Sequence, residues 1–391
     1  MGEPGVHEAS DGPEATPEDA PVPAESVPSG ERRFPCSKCG AQLRFSPGAF
    51  AMRCAHCGSL NEIEASDAEI AELDYESMLL ELESNETLVD EIVSACESCG
   101  ARIELAKNVT SGTCPFCSRT VVATGRSVKH IKPRSLLPFA IDSRGARERF
   151  SKWINKLWFA PSDLKTAATI DGRLNGVYLP YWTYDSGAIT DYVGQRGVYY
   201  WVTETYTTMV NGKPQIRTRQ VRKTRWYPAS GRVSDYFDDL LVPASTSIQT
   251  ERLHKLGPWD LGSLTPYNDE FLAGFRSESY SVQLDGGFEQ AKVMMIPQIR
   301  STICADIGGD TQRIASMDTH HHSITFKHLL LPAWVCAYRY KEKLYQILVN
   351  ARTGEVIGDR PWSWVKISLS VLVAIVVVIA IVAVIAIKST A

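Results

Sequence analysis

The chain has 391 residues, 44% of them hydrophobic, with a formal net charge of -4 and a pI near 6.1. That composition leaves room for two or three folding units and excludes a wholesale polyanion binder, which would carry a strong basic excess. Eight of the ten cysteines fall in four C-x-x-C pairs, a metal-site pattern rather than a secreted disulfide scaffold, and one that implies a reducing compartment.

Residues 1–33 lack the basic start and apolar run of a signal peptide and are rich in Pro, Glu, Ala and Ser; a disordered acidic tail is expected. A zinc ribbon is predicted over 34–60 on Cys36, Cys39, Cys54 and Cys57, and a second over 94–124 on Cys96, Cys99, Cys114 and Cys117, sixty residues later with the same spacing. FPCSKCGAQLRF aligns with SACESCGARIEL, so one module is duplicated. Each C-x-x-C turn presents two thiolates on one edge, and two facing turns close a tetrahedral site with no position left for water or substrate. Two structural Zn2+ ions are therefore expected, and modules this small need them in order to fold. Redox pairs and iron are the alternatives, but a redox site needs one pair at a helix start, not four in ribbon spacing. Gly40, Gly58 and Gly100 follow the second cysteine of their turns, where a positive φ is wanted; Ser118 departs from that pattern. His56 is expected to be a bystander, since four cysteines suffice.

An acidic helical linker is predicted over 61–93. It carries Glu62, Asp67, Glu72, Glu76, Glu81 and Glu86 and no Lys or Arg, while Ile70, Leu73, Met78, Leu79, Leu82 and Leu88 are spaced broadly as a helix stripe. A solvated spacer is expected in preference to a docking surface for a basic partner.

Residues 129–365 read as an α+β domain in which a helix packed on an antiparallel meander is used twice. Helices predicted over Asp142–Leu164 and Gly287–Ala305 each precede a strand with Leu-Pro-x-Trp, at Leu179–Trp182 and Leu331–Trp334. Asn211-Gly212 marks a hairpin turn, and its second strand carries Lys213, Arg217, Arg219, Arg222, Lys223 and Arg225 without one acid. This is a candidate surface for anionic lipid headgroups or nucleic-acid phosphates; the alternative is a solvated hairpin whose charges oppose Glu204 or the acidic linker. Cys304 and Cys336 read as ordinary thiols and His320–His322 as a surface loop.

A transmembrane helix is predicted over 366–388, because Ile367–Ile387 is uncharged between Lys366 and Lys388. About 20 helical residues cross a hydrocarbon core of about 30 Å. Arg352, Arg360 and Lys366 precede the span and Lys388 alone follows it, so the N-terminal body is expected in the cytoplasm, inserted as a tail anchor. Ala380, Ala383 and Ala386 leave homo-oligomerisation through this helix open. The chain has no phosphate-binding loop, nucleophile elbow, H-E-x-x-H or dinucleotide fingerprint. Asp238 and Asp239 point to opposite faces of a strand, and no enzyme is expected.

The paired ribbons, FAPSDL at Phe159–Leu164, GVYLPYWTYD at Gly176–Asp185, SGRVSDYFDDLLVPAS at Ser230–Ser245, YNDEFLAGFRSESY at Tyr267–Tyr280, TFKHLLLPAW and VNARTGEVIGDRP resemble a bacterial family of membrane-anchored zinc-ribbon proteins, from Phe34 to Lys366. Its members are often labelled TFIIB-type zinc-ribbon proteins or primosomal protein N' (replication factor Y)-like helicases. The helicase label follows from the ribbon alone, since this chain lacks the motor's nucleotide loop. Relatives encoded beside phage-shock-type and membrane-scaffold proteins imply an envelope role. The expectation is a membrane-tethered adaptor whose ribbons and acidic linker recruit a cytosolic protein partner, with a membrane-held nucleic-acid-binding protein as the alternative.

Overall fold

The computed structural model describes residues 34–64, 66, 68–84, 89–104, 111–122, 126–161, 174–210, 212–340, 343–360 and 362–390. The predicted acidic tail, Asp67, Glu86 and Leu88 of the linker, Asn211 of the hairpin turn and residues 162–164 of the first predicted helix lie outside them; that helix is shorter than predicted and ends at Lys156, with Leu157 capping it.

The first ribbon is an antiparallel meander of β1 (Leu43–Phe45), β2 (Ala51–Cys54) and β3 (Leu60–Glu62). Asn61 and Glu62 thus belong to this ribbon and not to the linker. The linker itself is not a free spacer. β4 (Leu73–Asp74) pairs with a strand of the large sheet, and the helix α1 (Tyr75–Ser84) lays Tyr75 and Met78 into the core. Asp74 accepts from the Ser77 amide at 2.8 Å and starts the helix. The stripe, read as a solvated helix or helix pair, holds instead a short docked helix whose apolar side packs on the sheet.

The second ribbon is wider than predicted. β5 (Val89–Ala95) pairs with both β6 (Arg102–Glu104) and β9 (Arg126–His130), while β7 (Ser111–Thr113) pairs with β8 (Thr120–Val122). Residues assigned to the linker at one end and beyond the ribbon at the other close its sheet.

The rest of the body is one nine-stranded mixed sheet rather than two meanders. After the short β10 (Ser135–Leu136), the helix α2 (Ser143–Lys156) is capped by Asp142, which accepts from the Gly145 amide at 2.8 Å. The strands β11 (Leu174–Val210) and β12 (Lys213–Pro243) form a long hairpin; the helix α3 (Thr250–Lys255) and the short strands β13 (Thr265–Pro266) and β14 (Arg276–Ser277) come next. The long helix α4 (Leu284–Ile307) leads into β15 (Thr311–Tyr340), β16 (Lys343–Asn350) and β17 (Val356–Gly358). Leu284, Phe288, Ala291, Met295, Ile299, Ile303 and Ile307 form the buried stripe of α4 at helical spacing, packed with Trp182, Tyr184 and Val242. Each large side chain so buried stabilises by about 1.5–3 kcal/mol. Gly287 lies where α4 meets the sheet: a Cβ there would stand 2.3 Å from the Tyr184 hydroxyl.

β11 and β15 pair antiparallel at the centre, with Leu179 opposite Leu331. About that pair the two Leu-Pro-x-Trp segments are related by an internal two-fold. β14 runs parallel to β11 at Val177–Tyr178, as β10 runs parallel to β15 at Leu329–Leu330. The helix-plus-sheet unit recurs as read from the sequence, but its halves share one sheet. His320, His321 and His322 are not in a loop. They stand in β15 opposite Ile189, Ala188 and Gly187, and strand alternation turns His321 towards Phe288, at 5.6 Å between ring centres, while its neighbours are exposed on the other face.

Finally α5 (Trp364–Thr390) is long and apolar enough to cross a bilayer: Trp364–Ala383 has a mean hydropathy of 3.0 and none of it is buried. A core helix would be covered. Its root is fixed to the body, where the Ser363 amide donates to Phe159 O at 2.8 Å and Lys366 Nζ to Ala160 O at 2.8 Å.

Candidate metal centres and a basic arm

In each ribbon the chain turns back on itself twice, with the residue after the second cysteine donating to the first cysteine's carbonyl. Gly40 donates to Cys36 O at 2.9 Å, Gly58 to Cys54 O at 3.0 Å, and Gly100 to Cys96 O at 2.8 Å, all at positive φ. Ser118 makes the same turn to Cys114 O, at 2.9 Å and φ 58°. The departure noted in the sequence is a change of residue and not of geometry.

These turns gather the four sulfurs of each set within 4.8 Å of one another. Cys36 and Cys57 are 3.7 Å apart, Cys39 and Cys54 3.6 Å, Cys96 and Cys117 3.5 Å, and Cys99 and Cys114 3.6 Å. A tetrahedron of sulfurs about 2.3 Å from a central ion has edges of about 3.8 Å. Disulfide sulfurs approach to about 2.05 Å, and all ten cysteines are free. An iron-sulfur cluster would spread the thiolates apart, whereas sulfurs in contact leave space for one ion. Each set of four can hold a single metal ion.

Residues that the cysteine spacing did not disclose complete the sites. The Ser59 hydroxyl lies 3.1 Å from both Cys36 and Cys57 Sγ, and the Lys38 amide donates to Cys36 Sγ at 3.4 Å. Ser59 and that amide hold the Cys36 thiol down to about 5, and the Cys99 thiol likewise holds Cys114 down to about 5, while burial and the neighbouring sulfurs push Cys39 up to about 12 and Cys114 pushes Cys99 up; in each set one thiolate forms readily beside thiols that keep their protons. Asn61 accepts from the Ser37 hydroxyl at 2.8 Å and ties the first turn to β3.

The two sets differ in setting. Cys39 and Cys57 are exposed, whereas in the second ribbon Cys96, Cys114 and Cys117 are buried with Phe116, Leu179, Leu331 and Val335. Gln346 donates to Phe116 O at 2.8 Å, the Ser279 amide to Arg102 O at 3.1 Å, and Arg276 to Thr113 O. Behind this ribbon Glu278 is fully buried beside the Ser245 and Ser247 hydroxyls, and burial pushes its carboxyl up to about 8. It is a neutral acid at pH 7. The first ribbon packs Phe45 and Phe50 on Phe271, at 5.2 and 5.9 Å between ring centres. His56 is exposed and outside the cysteine set.

The predicted basic residues lie on an arm. β15 covers β11 only as far as Gly197, opposite Thr311, so from Val198 to Arg225 the β11–β12 hairpin pairs with itself alone. Thirteen residues at about 3.4 Å project it roughly 44 Å. Its unbroken register sets Val210, Tyr206, Glu204, Tyr200 and Val198 opposite Lys213, Arg217, Arg219, Lys223 and Arg225. Residues directly opposite share a face, so five of the six cations stand on one face with two tyrosines. Arg222 is on the other, opposite Trp201, with its guanidinium 4.2 Å from the Tyr199 ring centre. Glu204 pairs with Arg219 at 3.3 Å and Lys223 at 2.9 Å; these exposed pairs leave the face strongly positive. Among the described residues the acidic linker's ion pair is made in the body and not on this arm: Glu72 pairs with Lys327 at 3.0 Å.

The chain is similar to an uncharacterized protein of Bacillus subtilis. That protein, YdjG of strain 168, is 24% identical over 348 residues, which cover 86% of this chain and 92% of the relative. No family model matches the chain, and no solved structure matches it.

Proposed function

We propose that the chain is a membrane-tethered, non-catalytic scaffold whose zinc ribbons brace the body and whose basic arm carries the docking face. The observation that supports this most is the register that gathers Lys213, Arg217, Arg219, Lys223 and Arg225 on one face beyond the sheet. A second supports it. The anchor root packs at Phe159–Ala160, with Ala160 in one cluster with Leu174, whereas the arm tip at Val210 is 36 residues further along β11, roughly 120 Å of strand contour. In this reading the arm reaches towards a partner in solution. Zinc is the ion of choice for closed four-thiolate sites, and the ribbons, packed into the core, are braces in this reading and not the recruiting modules. The cationic flank Arg352, Arg360 and Lys366 and the reduced thiols favour a cytoplasmic body. The partner is a cytosolic protein with an acidic surface, in keeping with the envelope-maintenance role that the sequence resemblance implies. The test is crosslinking in cells from the arm, with Lys213, Arg217, Arg219, Lys223 and Arg225 changed to Gln in parallel. Adducts lost in that variant support the reading, and unchanged adducts contradict it.

The same face favours a second reading. Tyrosines interleaved with arginines on a two-stranded ribbon suit nucleic acid, whose major groove of about 12 Å admits such a ribbon. Titration with DNA and RNA at two salt concentrations decides, because phosphate contacts weaken steeply with salt. No affinity at low salt removes this reading.

A further inference from the structure

We infer that the root of the anchor carries a binding site for a phosphate-bearing headgroup, and that its occupant is an anionic phospholipid. A shallow, open cleft of about 490 Å3 lies there, lined by Lys343, Tyr345, Gly358, Asp359, Arg360 and Trp362. Such openness suits a headgroup, which stays partly in water at the membrane surface. The charge is right for it. Asp359 is engaged by Arg252, while among the described residues Lys343 and Arg360 are in no ion pair, so the lining is net positive. Arg360 already lies over Trp362, 4.4 Å from the ring centre, which holds in place a guanidinium fork able to take two phosphate oxygens.

Position names the source of the phosphate. Trp362 stands two residues ahead of α5, and the apolar run begins at Ile367. At about 1.5 Å per residue, Trp364 is about 5 Å outside the hydrocarbon edge, at headgroup depth. Trp362 and Trp364 are exposed, 52% and 78%, as ring systems of the interfacial belt are. No free tether separates cleft from helix: besides the bonds at Ser363 and Lys366, Phe159 packs on Trp362 at 6.4 Å between ring centres. The cleft is therefore held at a fixed depth against the bilayer, where headgroups reach millimolar-or-higher local concentration.

The inference rests on the membrane reading of α5 and is independent of the arm. Its test is native mass spectrometry of the full-length chain in detergent, with phosphatidylglycerol, phosphatidylcholine or inorganic phosphate added. The expected result is one phosphatidylglycerol retained per chain in preference to phosphatidylcholine, falling about tenfold in Arg360→Gln and in Lys343→Gln, with Arg300→Gln, exposed on α4, unchanged. Equal retention of the two lipids, or an equal loss in Arg300→Gln, overturns the site. Displacement of lipid by millimolar inorganic phosphate assigns the cleft to the free ion and overturns the lipid. Carbonate extraction of membranes separates the two failures: a chain that resists extraction but shows no headgroup preference lacks the site, and one that is extracted lacks the anchor itself.

Discussion

Trp182 and Trp334 each hold the entrance of the other half's helix: Trp182 Nε1 donates to Val282 O, just ahead of α4, at 3.0 Å, and Trp334 Nε1 to Ile141 O, just ahead of α2, at 2.9 Å. The strand of one half thus fixes the helix of the other across the Leu179–Leu331 axis. Replacing either indole with Phe keeps most of the packing but leaves a buried carbonyl without its donor, a loss of about 1–3 kcal/mol. Urea unfolding of Trp182→Phe and Trp334→Phe is expected to give losses of similar size. A large loss in one and none in the other would contradict an exchange between the halves.

Ser118 occupies a left-handed conformation that the three other turns give to glycine. A side chain there costs roughly 1–2 kcal/mol. Ser118→Gly is expected to raise the melting temperature of the metal-loaded protein, and Gly100→Ala to lower it by a similar amount. Lowering by both substitutions would show that the Ser118 side chain has a role beyond the turn.

Glu278 sets a pH dependence of definite sign. Its carboxyl titrates near 4.3 when unfolded and, pushed up by burial, at about 8 when folded. Between those values the folded state keeps a proton that the unfolded state has released, so stability falls as pH rises, by about 1.4 kcal/mol per unit, and the loss is complete above pH 8. In Glu278→Gln that contribution to the slope should vanish. Unfolding free energies compared at pH 6, 7 and 8, where the thiolates keep their metal, test it; parallel curves for parent and variant would contradict a neutral buried acid.

Features encoded within a few residues of chain were legible in the sequence. The eight cysteines could be named because a four-thiolate site needs two tight turns, and each turn is written within four residues. The hairpin of the arm was legible for the same reason, with a Gly in the turn between runs of period two. The recurrence of Leu-Pro-x-Trp gave the repeat, but not the pairing of Leu179 with Leu331. Contacts so distant along the chain leave no local periodicity behind. Glu72 looked solvated because its partner Lys327 lies more than two hundred residues away. His320–His322 suggested a loop by composition, yet β11 alone supplies their ladder, through Ile189, Ala188 and Gly187, a pairing too distant along the chain to be read locally. Ser59 could have been suspected from its place two residues after Cys57.

Packing also revises the independence of the ribbons. The spacing alone implies that losing Cys54 unfolds its own module and leaves the large domain intact. Cys54 instead shares a buried cluster with Phe139, Tyr178 and Trp334, so Cys54→Ser should lower the stability of the whole body. Cys57, exposed at the rim, is the ligand whose loss stays local.

The metal count tests the account most directly. Elemental analysis of the purified full-length chain is expected to find about two zinc ions per chain, one for each four-thiolate site, and about one in Cys57→Ser with the fold of the body retained. About one metal in the unmodified chain, or iron in place of zinc, would contradict two closed zinc sites built into the body.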